Sequence, residues 1–141
     1  MAVKISITEI LTGAASKKTV AEKVDFLRSN DSTPLRVVLK YTYDNVIEFL
    51  LPNTPPPFKK NKYDDEAKAL LYTEARRLKI FIKGGGYDHL KDVKREALFI
   101  GLLEDVDNDD ADSLCQMITK KPFKGLSKKT IQEAFPDLIQ E

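Results

Sequence analysis

The sequence is short of the residues that build most metal, disulfide and histidine-based catalytic sites. Its 141 residues include one cysteine, Cys115, one histidine, His89, and no tryptophan. A single cysteine excludes an internal disulfide and favours a reducing compartment. Neither residue belongs to a cluster with metal-ligand spacing, so the sequence predicts no metal and no other cofactor. We expect Cys115 to lie in the core, on the apolar face of its helix, and His89 to lie at the surface.

Long apolar runs and a large net charge are also missing. The longest apolar run, Ala97 to Leu103, is interrupted by Gly101 and is far shorter than the roughly 20 residues of a membrane span. The first residues carry Glu9 inside an apolar run that is too short for a signal peptide. A net charge of +1 gives no global attraction to nucleic acid or anionic lipid. These features predict a cytoplasmic protein of one domain.

What the chain does contain is a series of helix start and stop signals. Ser6 and Glu9 have the spacing of a capping box, and Thr19 begins a second one. Thr33 can cap a third helix, because Pro34 after it suits the first helical position. The stretch 41–51 is ambiguous: its aromatic and branched residues favour a strand, but no second strand lies nearby, so a short helix is the prediction.

The C-terminal part has the clearest helical periodicity. Apolar residues at helical spacing predict a helix over 63–83, which Gly84 to Gly86 end. Asp88 then caps a central helix that reaches Glu104. Its apolar residues cover most of the circumference, which predicts burial on several sides and a close neighbour at Gly101. Two further helices follow, near 109–118 and 127–135.

These patterns predict an all-α fold, a compact bundle of about six or seven short helices around a buried central helix. We expect a single helical domain over residues 1–141. Its N-terminal subdomain covers about 1–52, a proline-rich loop covers 53–62, and its C-terminal subdomain covers about 63–141. The three consecutive prolines of the loop favour polyproline II and a hinge.

Two motifs that resemble ligand sites do not meet their own requirements. Asp105, Asp107 and Asp109 match the first ligand positions of a calcium loop, but Asp110 and Gln116 stand where glycine and glutamate are needed. The glycine triplet lacks the phosphate-binding spacing and follows a predicted helix, so helix termination is the better interpretation.

Lysines near an aromatic ring form a candidate nucleic-acid-binding segment near the C-terminus. We call it the basic segment; it comprises Lys120, Lys121, Phe123, Lys124, Lys128 and Lys129. Cations can bind phosphates while a ring stacks on a base. The simpler interpretation is a solvated face that balances the acids between Glu104 and Asp112.

The sequence resembles a family of small uncharacterised proteins of T4-like tailed bacteriophages. The segments that carry the resemblance include 27–30, 50–52, 72–78, 94–99 and 124–126, with Glu133-Ala134-Phe135-Pro136 in the tail. The resemblance spans nearly the whole chain and transfers no catalytic residue. It implies a phage protein that acts in the cytoplasm of the bacterial host.

The function hypothesis is a non-enzymatic phage accessory protein that binds a phage or host protein. The candidate partner-binding residues flank the proline-rich loop: Phe58, Lys59, Lys60 and Tyr63. The alternative is direct nucleic-acid binding through the basic segment. A small-molecule enzyme is a third class, and it requires a pocket around Tyr72, Arg76 and His89.

Overall fold

The fold is all-α, as predicted. The computed structural model describes residues 6–51, 58–59, 75–106 and 108–139. Within these residues there are six α-helices and one 3₁₀ helix, and no strand. The α-helices are α1 (Ile7–Ala15), α2 (Val20–Ser29), α3 (Thr33–Tyr43), α4 (Asp92–Asp105), α5 (Asn108–Ile118) and α6 (Lys128–Ala134), and the 3₁₀ helix is Ala75–Phe81. In the described part of the chain, no helix is long and apolar enough to cross a membrane.

The N-terminal caps follow the local sequence signals. Ser6 and Glu9 form the predicted capping box, with the Glu9 backbone N–H donating to Ser6 Oγ at 3.1 Å. Thr19 caps α2 as predicted. In α3 the cap is Ser32 rather than Thr33, so the helix begins one residue earlier than expected. Side-chain oxygens therefore satisfy free N–H groups at each of these helix starts.

Helix α5 has the most central position among the described helices. It packs against α1, α3 and α4, while α2 packs against α1 and α6, and the 3₁₀ helix packs against α3 and α4. Its inward face includes Ala111, Leu114 and Met117, each fully buried. Contacts of α5 with α1 and α3 join the two halves of the chain. The predicted division into subdomains stays a prediction.

Helix α4 is present where the central helix was predicted, but only one face of it is buried. That face carries Phe99, Leu102 and Leu103. The expectation of burial nearly all round is wrong, because Val93 is 82% exposed and Ala97 is also exposed. The apolar pattern did not distinguish the two faces, since apolar residues lie on both.

Arg95 explains how α4 is fixed to the loop before it. Its side chain is 2% exposed and faces the core, where an arginine is rare. The guanidinium donates to the carbonyl oxygens of Tyr87 at 3.0 Å and Leu90 at 3.1 Å. It also donates to the Asp92 carboxylate at 3.1 Å. One buried cation therefore organises the chain from the glycine triplet to the start of α4.

The short helix predicted within the stretch 41–51 is wrong, because residues 44–51 are not helical. Helix α3 ends at Tyr43, and the chain then turns into an isolated antiparallel bridge between Phe49 and Ile82. The Leu50 N–H donates to the Phe81 carbonyl oxygen at 2.8 Å. Extended backbone is what branched and aromatic residues favour. The segment that pairs with Phe49 lies more than 30 residues away, inside the stretch predicted to be helical. Patterns in the neighbouring residues therefore could not predict this bridge.

The predicted long helix at 63–83 is only partly observable. Residues 60–74 lie outside the described residues, and the rest forms the 3₁₀ helix. Helix termination by the glycine triplet is confirmed, because Gly84 and Gly86 have positive φ values of 82° and 95°. Asp88 does not cap α4 as predicted. Its carboxylate accepts from the Gly84 N–H at 2.9 Å, and α4 begins at Asp92.

Candidate partner-binding groove

A buried polar network fixes α1 against α5. The Asp110 carboxylate, fully buried, accepts from the Thr8 N–H at 2.8 Å and from the Thr8 hydroxyl at 2.7 Å. The Ser113 and Thr8 hydroxyl oxygens are 2.7 Å apart. A carboxylate on the first turn of α1 satisfies a free N–H and complements the helix dipole. The network sets the angle between the two helices.

Sequence reasoning missed this role of Asp110, which it considered only as a position of the rejected calcium loop. The available signal was the spacing of Asp110 from Leu114 and Met117. Steps of four and three residues place all three on one face of α5. A carboxylate on the apolar face of a helix indicates a buried hydrogen-bonding partner.

Beside this network, α1 and α5 enclose an open groove of about 590 Å³. Its apolar floor includes Leu11, Ala15 and Phe123, and its acidic wall carries Asp109 and Asp112. Polar side chains supply much of the remaining lining: Thr8, Thr12, Ser16, Ser113, Gln116 and Lys124. We call this the α1–α5 groove. It combines an apolar floor with a charged rim.

Tyr43 fixes Phe123, one of the residues that line the groove. Its hydroxyl donates to the Leu126 carbonyl oxygen at 2.7 Å and accepts from the Phe123 N–H at 2.9 Å. Burial raises the pKa of Tyr43 to about 12. The rings of Tyr43 and Phe123 lie 6.3 Å apart. The Phe123 ring is therefore fixed as part of the apolar floor of the groove.

The loop that carries Phe123 is also held in place by α5 and by α1. The Gln116 amide of α5 donates to the carbonyl oxygens of Lys121 at 3.1 Å and Pro122 at 2.8 Å. Gly125 has a positive φ of 80°, and a Cβ on it would lie 2.9 Å from Ala15 Cβ. Only glycine fits this conformation and this close approach without strain. The groove is therefore preformed.

The chain matches the model of a protein family over most of its length. Residues 10–123 match the model of a family of unknown function, DUF6433. The chain belongs to this family. No curated protein matches the chain significantly. The DUF6433 match contains α5 and most of α1, and it ends at Phe123, so α6 lies beyond it.

The basic segment is divided between the interior and the surface. Lys120 turns inward from a left-handed backbone with φ 56°. Its ammonium donates to the carbonyl oxygens of Asp44 at 2.5 Å and Ile47 at 2.6 Å. Burial lowers the pKa of Lys120, while the charge of Asp44 acts in the opposite direction. Lys120 thus fixes the turn after α3.

Phe123, the aromatic residue of the basic segment, is 8% exposed. Its ring faces the groove and Tyr43, so this structure does not support stacking of the ring on a base. Lys121, Lys124 and Lys129 are exposed, and Lys128 is partly exposed. These four lysines are the part of the basic segment that can reach a ligand.

The predicted partner-binding residues of the proline-rich loop are described only in part. Phe58 is half-buried and packs against the core. Lys59 is exposed, and its backbone N–H donates to Glu104 Oε2 at 2.8 Å. Lys60 and Tyr63 lie outside the described residues. Of these four residues, Lys59 is the one with a described exposed side chain.

The remaining candidate residues are described only in part. Cys115 is half-buried at the edge of the core, and burial with the nearby Asp112 raises its pKa to about 11. His89 is exposed, as predicted. Tyr72 and the Arg76 side chain lie outside the described residues. No three His, Cys, Asp or Glu residues of the described ranges converge as metal ligands.

Proposed function

We propose that this chain is a non-enzymatic accessory protein that binds a segment of a protein partner in the α1–α5 groove. The groove is the observation that carries the proposal. It has a volume of about 590 Å³ and an apolar floor. The bracing of Phe123 and its loop by Tyr43 and Gln116 favours binding, because little order has to be created on association.

The charge of the groove favours a partner segment that is both apolar and basic. Apolar side chains of the partner would cover Leu11 and Phe123, and a lysine or arginine would face Asp109 and Asp112. Both aspartates are exposed on one wall. Opposite charges at the rim give specificity and faster association. An amphipathic helix lying between two helices is a common form of such recognition.

The resemblance to proteins of T4-like phages supplies the biological setting of this proposal. In that setting the partner is a phage or host protein, and binding takes place in the cytoplasm of the infected bacterium. Membership of a family of unknown function is compatible with this role and with others.

Charge reversal on the groove wall tests the proposal. The tagged chain is used to capture proteins from infected-cell lysate, beside Asp112→Lys, Thr12→Arg and the matched control Asp25→Lys. Thr12 is exposed at the groove and Asp25 is exposed on α2. Because Asp112→Lys replaces an attraction by a repulsion, partner affinity should fall about tenfold or more.

Synthetic peptides that together cover the sequence of the captured protein are then tested for binding. The peptide that binds must carry lysine or arginine beside apolar residues. Asp25→Lys should bind this peptide as the unaltered chain does. If the partner binds Asp112→Lys and Thr12→Arg as tightly as the unaltered chain, it contacts another surface, and the groove proposal is refuted.

Direct nucleic-acid binding is the second candidate. Lys128 and Lys129 lie in the first turn of α6, where the helix dipole disfavours cations. Phosphate contacts would offset this unfavourable position. Four lysines that neutralise phosphates give a slope of log K against log salt of about −3.5, or roughly a hundredfold loss between 50 and 200 mM salt.

The test is a titration of labelled DNA and RNA at several salt concentrations. The variant with Lys128→Glu and Lys129→Glu should lose binding, and a control with Lys17→Glu and Lys18→Glu, two exposed lysines after α1, should weaken it less. No binding at low salt would eliminate this candidate and leave the groove proposal unaffected.

A further inference from the structure

The charges along the α1–α5 groove differ between its two ends. The wall formed by α5 carries Asp109 and Asp112 in the first half of the helix. Gln116 follows one turn later, and its amide holds the loop 121–122 by hydrogen bonds. Lys124, exposed on the same loop, lines the groove beyond this point. The groove therefore has an acidic end at the start of α5 and a basic end beside its last turn.

The described part of the chain does not neutralise these charges. Within it, no hydrogen bond or ion pair joins the side chains of Asp109, Asp112 or Lys124 to another residue. The two aspartates are three residues apart on one face of α5, where like charges repel. The dipole of α5 offsets part of the charge of Asp109 in the first turn, but Asp112 lies beyond that turn. A bound segment can supply the missing cation at one end and the missing anion at the other.

Between the two ends the groove is apolar and long enough for a short helix. Leu11, Ala15 and Phe123 form its floor. The seven residues from Asp109 to Gln116 span about 10 Å of α5, so about three turns of a bound helix reach from the acidic end to Lys124. Apolar side chains at every third or fourth position of such a helix would cover the floor.

The dipole of a bound helix then selects one direction. Any helix favours anions in its first turn and cations in its last turn. A helix that brings its last turn to Asp112 and its first turn to Lys124 meets the groove with the charges that it carries most favourably. In this direction it is antiparallel to α5, and its positive N-terminus lies near the negative C-terminus of α5. The opposite direction sets the dipole of the bound helix against the charges of the groove.

We propose that the α1–α5 groove binds a helical segment of the partner protein in one direction, antiparallel to α5. The basic last turn of the segment lies beside Asp109 and Asp112, and its acidic first turn lies beside Lys124. This inference rests on the proposed function, which leaves the direction and the acidic turn open. It defines the partner segment as about three turns of helix with acids first, apolar residues next and lysine or arginine last.

Two synthetic peptides of about 12 residues test the direction on the full chain. They have the same composition, the same leucines on one face and the same hydrocarbon staple on the other, so both are helical. The forward peptide has glutamates in its first turn and lysines in its last turn, and the reverse peptide has these exchanged. Fluorescence anisotropy of the labelled peptides should show about tenfold tighter binding of the forward peptide.

Charge exchange shows which ends meet. Asp112→Lys should weaken binding of the forward peptide about tenfold, and a peptide with glutamates in its last turn should recover it. Lys124→Glu should weaken the forward peptide about threefold, and lysines in the first turn should recover that binding. A merely structural role of either residue would weaken every peptide alike. The control Asp25→Lys, at an exposed position on α2, should leave all affinities unchanged.

A nitroxide label on the forward peptide measures the direction independently of affinity. In amide NMR spectra of the full chain, a label on the last turn of the peptide should broaden the signal of Asp109 more than that of Gly125. A label on its first turn should do the reverse. The opposite pattern would refute the antiparallel direction.

Failure of this inference and failure of the proposed function give different results. If the reverse peptide binds as tightly as the forward peptide or more tightly, and Asp112→Lys alters both affinities, the groove remains the binding site and the direction is refuted. If neither peptide binds up to about 1 mM, the groove is refuted as a site for a helical segment. Binding that neither Asp112→Lys nor Lys124→Glu alters would refute it as well.

Discussion

Replacing Arg95 by methionine should destabilise the protein strongly although no carboxylate is buried beside it. Methionine keeps much of the length and apolar contact of the side chain and removes all its donors. The change leaves the carbonyl oxygens of Tyr87 and Leu90 without their 3.0 Å and 3.1 Å hydrogen bonds. The loop between the glycine triplet and α4 loses the group around which it is folded.

The magnitude follows from the burial of the guanidinium. A hydrogen bond to a charged donor contributes about 1.5–3 kcal/mol when its partner would otherwise be left unsatisfied. Water can replace part of this at Tyr87 and Leu90, which are only half-buried. Because Asp92 is 96% exposed, its ion pair with Arg95 adds little. We expect a loss of about 3 kcal/mol, a large share of the 5–15 kcal/mol typical of a domain.

Urea unfolding followed by circular dichroism measures this loss, and Arg28→Met is the matched control. Arg28 also donates to two carbonyl oxygens, of Glu133 and Ala134, each at 3.0 Å. Its side chain is exposed, so water takes over these bonds and the expected loss is about 1 kcal/mol. Equal losses in the two variants would show that burial of Arg95 does not determine its contribution.

Further predictions concern single side chains. Gly101→Ala should raise the free energy of unfolding by about 0.5–1 kcal/mol at a few micromolar protein, and a loss would mean that residues outside the described ranges pack there. Because the pKa of Tyr43 is raised to about 12 from 10, the stabilisation is complete below pH 10 and is lost as the pH rises toward 12. The unfolding temperature of the unaltered chain should therefore fall more steeply over this pH interval than the unfolding temperature of Tyr43→Phe. The pKa of Cys115, raised to about 11 by burial and Asp112, should fall in Asp112→Lys, and its alkylation by iodoacetamide at pH 8 should speed up about threefold; an unchanged rate would contradict the effect of Asp112.

Features with a local cause could be predicted from the sequence. The capping box at Ser6 and Glu9 is local, because both partners lie within one turn. The end of the helix before Gly84 is local as well, since it depends on the backbone freedom of glycine. The all-α class followed from such signals together with the helical spacing of apolar residues.

Features with a distant partner could not be predicted. Lys120 was assigned to the basic segment on its charge, but its ammonium binds carbonyl oxygens of the turn after α3, which lies more than 70 residues earlier. Phe123 was assigned to stacking on a base, but Tyr43 fixes it in the apolar floor of the groove. The groove itself needs α1 and α5 together, and the hydrogen bonds of Asp110 that join them span more than 100 residues.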